Sequence, residues 1–183
     1  MSEEQVKKNK AFMSVRALVV CALFAAMSIV FGKFLSIKIG SSLRISFENL
    51  PIILSGIFYG PVVGIFTAVV ADIVGCFLYG YDINPIITLG AAFIGFISGA
   101  VFQMAKNTKL LKKIICSVLT AHVFGSMIIK SIGLYLWYGT SFKVLAIRIP
   151  IYLITSAAEI VIIYALLRNR SFMEQMKRMK KDA

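Results

Sequence analysis

Arg44 in a polar loop, and Asp72, His122, Lys130, Arg148 and Glu159 within apolar segments, are the residues whose types and positions could do chemistry. An ionisable group inside a membrane span costs about 2.5–3.5 kcal/mol on insertion scales, so such residues face a bundle interior or a water-filled cavity. Lys130 and Arg148 fall in the halves of their segments that share one side of the membrane with Arg44. The three cations can converge there on an anionic or carboxylate-bearing ligand. Snorkelling of Lys130 and Arg148 to headgroups is the plainer alternative. Asp72 and Glu159 lie deeper. Either can pair with His122, bind a polar ring or relay protons. On an α-helix the eight-residue step from His122 to Lys130 is about 80° of rotation, and the eleven-residue step from Arg148 to Glu159 is about three turns, on one stripe. The aromatics Phe47, Tyr79, Tyr81, Tyr135, Trp137, Tyr138 and Tyr152 could stack a flat ligand. Most of them lie at an interface, where an aromatic belt is the plainer explanation for each taken alone.

The elements that must position these residues are membrane spans. The chain has 183 residues, is 59% hydrophobic and 15% charged, and has a mean hydropathy of +0.87. A soluble domain is nearer half apolar and a quarter charged, and here the excess sits in long runs. The reading is an all-α integral membrane protein, one membrane domain over 1–183. Its six-transmembrane-helix bundle has spans at roughly 14–35, 48–58, 61–79, 86–104, 114–137 and 144–167. The segment 48–58 is too short to cross upright. Pro51 suits a helix's first turn. Residues 36–47 are read as a loop, and the stretch from Tyr79 to Pro85 as a turn. Of the Lys and Arg residues, fourteen flank one side (residues 1–16, 106–113 and 168 onward), four flank the other and two lie within spans. That asymmetry places both termini in the cytoplasm.

Charge at span ends is topology rather than a nucleic-acid patch, so the net charge of +12 does not call for nucleic acid. The basic N-terminus followed by an apolar run resembles a signal peptide, but no small-x-small cleavage site follows, and it is read as a retained first helix. Small residues recur at four-residue steps: Ala17/Cys21/Ala25 and Ala22/Ala26, Gly60/Gly64/Ala68, and Ala91/Gly95/Gly99. Such strips let helices approach closely in lipid, within the chain or between chains. Cys21, Cys76 and Cys116 lie in apolar segments without metal-ligand spacing and read as small hydrophobes. There is no phosphate loop, no zinc-protease motif and no nucleophile elbow. The chain is therefore not expected to hydrolyse ATP, to be an enzyme, or to need a cofactor or metal. No inverted repeat of the kind common in secondary transporters is evident.

The run Ser42-Leu-Arg44-Ile-Ser-Phe47-Glu-Asn-Leu-Pro51, then Gly56-Ile-Phe-Tyr-Gly60-Pro61-Val-Val-Gly64 and Ala71-Asp72-Ile-Val-Gly75, resembles the substrate-binding S component of energy-coupling factor (ECF) vitamin transporters. The segments Asn84-Pro85-Ile-Ile-Thr88-Leu and Leu145-Ala-Ile-Arg148-Ile-Pro150 are similar to the folate group of these subunits. The resemblance implies a high-affinity vitamin-binding subunit in the cell membrane of a prokaryote-type cell. A transmembrane coupling subunit and two cytoplasmic ATPases would supply the energy. It implies a folate-like ligand held by Arg44, Phe47, Asn84, Thr88, Lys130, Arg148 and Tyr152, with Ala22 and Ala26 docking the coupling subunit. The first loop would act as a gate. Two rival readings stand beside it: an S component for another vitamin or a modified base, and a stand-alone transporter driven by protons through Asp72, His122 or Glu159.

Overall fold

The computed structural model of the protein describes residues 15–39, 43–105 and 107–182. Helix α1 (Val15–Phe34) leads into a short antiparallel hairpin of β1 (Ser36–Ile39) and β2 (Leu43–Ser46), with Ser36 opposite Ser46 and Lys38 opposite Arg44. The helices α2 (Asn49–Tyr59), α3 (Pro61–Tyr79), α4 (Pro85–Met104), α5 (Leu110–Tyr138), α6 (Phe142–Arg168) and α7 (Arg170–Asp182) follow. Ser14, the basic residues 1–10, Ser42 and Lys106 lie outside the described residues.

Five of these helices, α1 and α3 to α6, are long and apolar enough to cross a membrane. Helix α2 has 11 residues, which at 1.5 Å per residue is about 16 Å, or half the hydrocarbon thickness. All of it but Tyr59 is buried inside the bundle. The loop expected at 36–47 carries the hairpin, so the molecule is not wholly α-helical. Ser-Ile-Lys-Ile and Leu-Arg-Ile-Ser have the period-two alternation that suits paired strands. The C-terminal stretch, whose Lys and Arg flank the last span, is the helix α7. Its Phe172 meets Phe58 of α2 edge-on at 5.8 Å, and its Met176 is buried.

The centre of the bundle is a glycine seam between α2, α3 and α4. A Cβ on Gly95 would fall on the Gly64 carbonyl, and one on Gly99 would lie 2.7 Å from the Gly56 oxygen. With no side chain at these positions, three backbones come into direct contact, which in lipid is what holds helices together. The turn into α3 requires its glycine for another reason: Gly60 has φ of 102°, a conformation costly for any residue with a Cβ. In α1 the two small strips separate. Ala17, Cys21 and Ala25 are buried, whereas Ala22 and Ala26 face outward. Helix α5 is interrupted: His122–Ile129 is π-helical. Its wider turn changes the phase along the helix, so the about 80° expected for an unbroken α-helix does not apply. Both His122 and Lys130 are buried.

Candidate functional site

The shortness of α2 makes the site. Its N-terminus stops inside the bundle, and the space a longer helix would fill is left open. That space is a cavity of about 850 Å³. Glu48, Asn49 and Ile52 form its α2 end, and the remaining wall comes from α3, α4, α5 and α6, with Ser28 and Ile29 of α1, Ser46 of β2 and the loops at 80–82 and 140–141. The Ser28 hydroxyl of α1 donates to the Glu48 carbonyl at 2.6 Å, and the Tyr79 hydroxyl donates to the Ile29 carbonyl. These bonds fix the entry to α2 and the exit of α3 against α1.

Both signs of charge face the cavity. Lys130 on α5 and Arg148 on α6 supply the cations; Glu48, Asp72 and Asp82 supply carboxylates. Lys130 is only 7% exposed. Its burial is possible because Gly90 of α4 leaves a groove: a Cβ there would lie 2.7 Å from Lys130 Cγ. Lys130 Nζ reaches to 3.8 Å from Glu48 Oε1. Arg148 Nη2 donates to the Tyr152 hydroxyl at 2.6 Å, and its guanidinium carbon sits 5.2 Å from the Tyr152 ring centre. Arg148 Nε is buried without a hydrogen-bond partner. A guanidinium with a spare buried donor beside a cavity is suited to a carboxylate. Pro150, two residues along α6, lacks a backbone N–H between Arg148 and Tyr152 and loosens the helix ladder there.

The structure separates the sequence candidates. Lys130, Arg148, Tyr152 and Asn84 line the cavity; Phe47 and Thr88 do not. Asn84 is already engaged: Oδ1 accepts from the backbone N–H of Ile86 at 2.9 Å and of Ile87 at 3.3 Å, and Nδ2 donates to the Gly133 carbonyl at 3.2 Å. It caps α4 and ties it to α5. Thr88 stands behind the wall. Its hydroxyl donates to Asp72 Oδ2 at 2.6 Å, with the Asn84 carbonyl at 3.1 Å as the alternative acceptor. A single hydroxyl proton serves one of them at a time. Arg44 is placed by its backbone, opposite Lys38, on the strand that packs against α6. Glu48 lies in the stretch that carries the family resemblance but was not among the candidates. Its position three residues before Pro51, where a polar loop meets an apolar helix, is the signal that points to it. Among the described residues no group of three metal-ligating side chains comes together.

The family model for the ECF transporter, substrate-specific component, matches residues 16–172. The chain belongs to this family of S components. The S component is a transport subunit rather than an enzyme, a multi-pass protein of the plasma membrane, and works with an ECF transporter module. A curated relative, the folate transporter FolT of Clostridium novyi (strain NT), is 28% identical over 132 residues, which cover 72% of this chain and 75% of the relative. Among solved structures, FolT bound with folic acid is 25% identical with a TM-score of 0.70, covering 83% of this chain and 92% of that one. The S component of a bacterial ECF transporter is 21% identical with a TM-score of 0.56, covering 83% and 93%. The second likeness is one of fold.

Proposed function

We propose that this S component binds folate from outside the cell for uptake. The observation that carries the reading is one cavity with a buried Lys130 on α5, a half-buried Arg148 on α6, and carboxylates at the entry to α2 (Glu48) and on α3 (Asp72). Folate has matching ends: a glutamate tail with carboxylates, and a pterin ring whose amino and ring N–H groups are donors. The tail carboxylates pair with Lys130 and Arg148, joined by Arg44 from the hairpin. Asp72, held by Thr88, accepts from the pterin edge. Asn84 shapes the wall, and Tyr152 offers a flat face. The cavity is within the size range of small-molecule sites. The likeness to FolT with folic acid supports the same ligand.

The distribution of Lys and Arg supports a topology in which both termini are cytoplasmic, α2 counts as a short sixth segment, and the cavity opens outward. The outward-facing Ala22 and Ala26 on α1 form the flat strip on which the transmembrane coupling subunit docks, with two cytoplasmic ATPases completing the complex. Uptake of labelled folate into liposomes tests this reading. Accumulation that needs the coupling subunit, the ATPases and internal ATP is the expected result. Accumulation by this chain alone under a proton gradient would refute it in favour of a proton-coupled carrier.

A further inference from the structure

Beneath the cavity lies a polar pair that does not line it. His122 of α5 and Glu159 of α6 are both fully buried, with Nε2 and Oε2 2.6 Å apart. The other ring nitrogen, Nδ1, is 3.2 Å from the Ser126 hydroxyl, one turn along the π-helical segment. With the ring proton on Nε2, the imidazole donates to the Glu159 carboxylate and Nδ1 accepts from the Ser126 hydroxyl, so the ring is held at both ends. Its ring lies beside that of Tyr152, with ring centres 5.8 Å apart and planes tilted by 36°. Tyr152 in turn accepts the hydrogen bond from Arg148 and lies under its guanidinium.

We propose that the His122–Glu159 pair is a positioning device for Arg148, acting through Tyr152, and so sets the affinity of the cavity for a ligand carboxylate without touching the ligand. A planar guanidinium forms its two parallel bonds to a carboxylate only when its plane is fixed. Arg148 sits on a helix turn weakened by Pro150, so its own backbone supplies less restraint than a regular helix would. Tyr152 provides the missing restraint, and a ring pinned across two helices restrains Tyr152. The π-helical segment has a role in this account: it begins at His122 and ends beside Lys130, so one local irregularity aims both the pinned imidazole and the second cation.

The ligand class rests on the folate reading, so the test has one arm that uses the ligand and one that does not. In the first, the intact protein in detergent is titrated with folic acid and with its tail diester, which keeps the ring and lacks the tail charges. His122→Phe and Glu159→Ala are expected to weaken folic acid by about tenfold, about the loss of one charge-assisted bond, while leaving the diester affinity unchanged. Glu159→Gln, which keeps an acceptor for the imidazole, restores most of the difference. Parallel weakening of both ligands would mean a purely structural role and overturn the proposal, as would no change in either. In the second arm, the ligand-free protein is labelled with phenylglyoxal and Arg148 modification is followed by peptide mass spectrometry, with the exposed Arg170 as internal reference. His122→Phe should raise the Arg148 rate several-fold relative to Arg170; an unchanged ratio overturns the proposal. If the wild-type protein binds neither ligand, the folate reading fails and the labelling arm still decides the positioning role.

Discussion

Replacing Lys130 by Met removes the buried ammonium while keeping an unbranched stem that fits the Gly90 groove. In the present structure Lys130 Nζ is 3.8 Å from Glu48 Oε1. A ligand carboxylate therefore does not meet a free cation; it competes with Glu48 for one. Truncating one partner of a buried charge pair costs about 2–5 kcal/mol. Displacing Glu48 offsets part of that gain in the wild type, so the net loss in Lys130→Met should fall near the lower end, about 2 kcal/mol, or roughly 30-fold in Kd. The same competition predicts the opposite sign for Glu48→Gln. With its rival neutral, the ligand carboxylate should bind more tightly, by about threefold to tenfold, a gain of roughly 1 kcal/mol. The double variant should show non-additivity, because both changes act on one ammonium. The assay is fluorescence titration of folic acid against the single tryptophan, Trp137, with tyrosine emission as a second signal. A Lys130→Met protein that remains folded and binds folic acid within about twofold of wild type would refute the role of the cation; weaker binding by Glu48→Gln would refute the competition.

The other predictions concern the scaffold and its partner. Gly95→Ala places a methyl on the Gly64 carbonyl and should cost about 1–3 kcal/mol, read as a lower thermal midpoint in detergent; an unchanged midpoint would mean that the seam is not tight. Asn84→Ala removes the cap of α4 and its bond to Gly133, for a loss of about 1–2 kcal/mol in the same assay. Ala22→Trp with Ala26→Trp should leave folate binding by the isolated subunit intact, since both residues face outward. Uptake by the complete transporter should fall below a tenth, and normal uptake would remove this strip from the docking surface.

The parts of the fold legible in the sequence were those governed by hydropathy and small-residue spacing. Long apolar runs announce helices of membrane length, and the four-residue steps of Gly64, Gly95 and Gly99 anticipate close backbone approach. What stayed hidden depended on local geometry that composition does not encode. The hairpin at Ser36–Ser46 has strands of four residues each, too short for their alternation to stand out from a loop. The α7 helix was masked by its charges, although Phe172, Met173 and Met176 supply an apolar face at helical spacing. The π-helical turn at His122 has no sequence signature, and it is what changes the facing of His122 relative to Lys130.

At the candidate site, residue type within an apolar segment is enough to single out Lys130 and Arg148. It could not separate Asn84 and Thr88, which hold the wall together, from Asp72 and Glu48, which face the space. That distinction depends on which side of a helix end a side chain leaves. The short α2 connects the two levels. Eleven residues between a polar loop and a Gly60-Pro61 turn could be read as too short to span; that the missing half would be the cavity is a consequence only the packed bundle displays.

The measurement that tests the central claim most directly is equilibrium binding of folic acid to the purified protein alone, without coupling subunit or ATPases, with riboflavin and thiamine as controls. Saturable binding of folic acid at nanomolar affinity, and none of the other two, is the expected result. Absence of folic acid binding by correctly folded protein, or equal binding of all three vitamins, would contradict it.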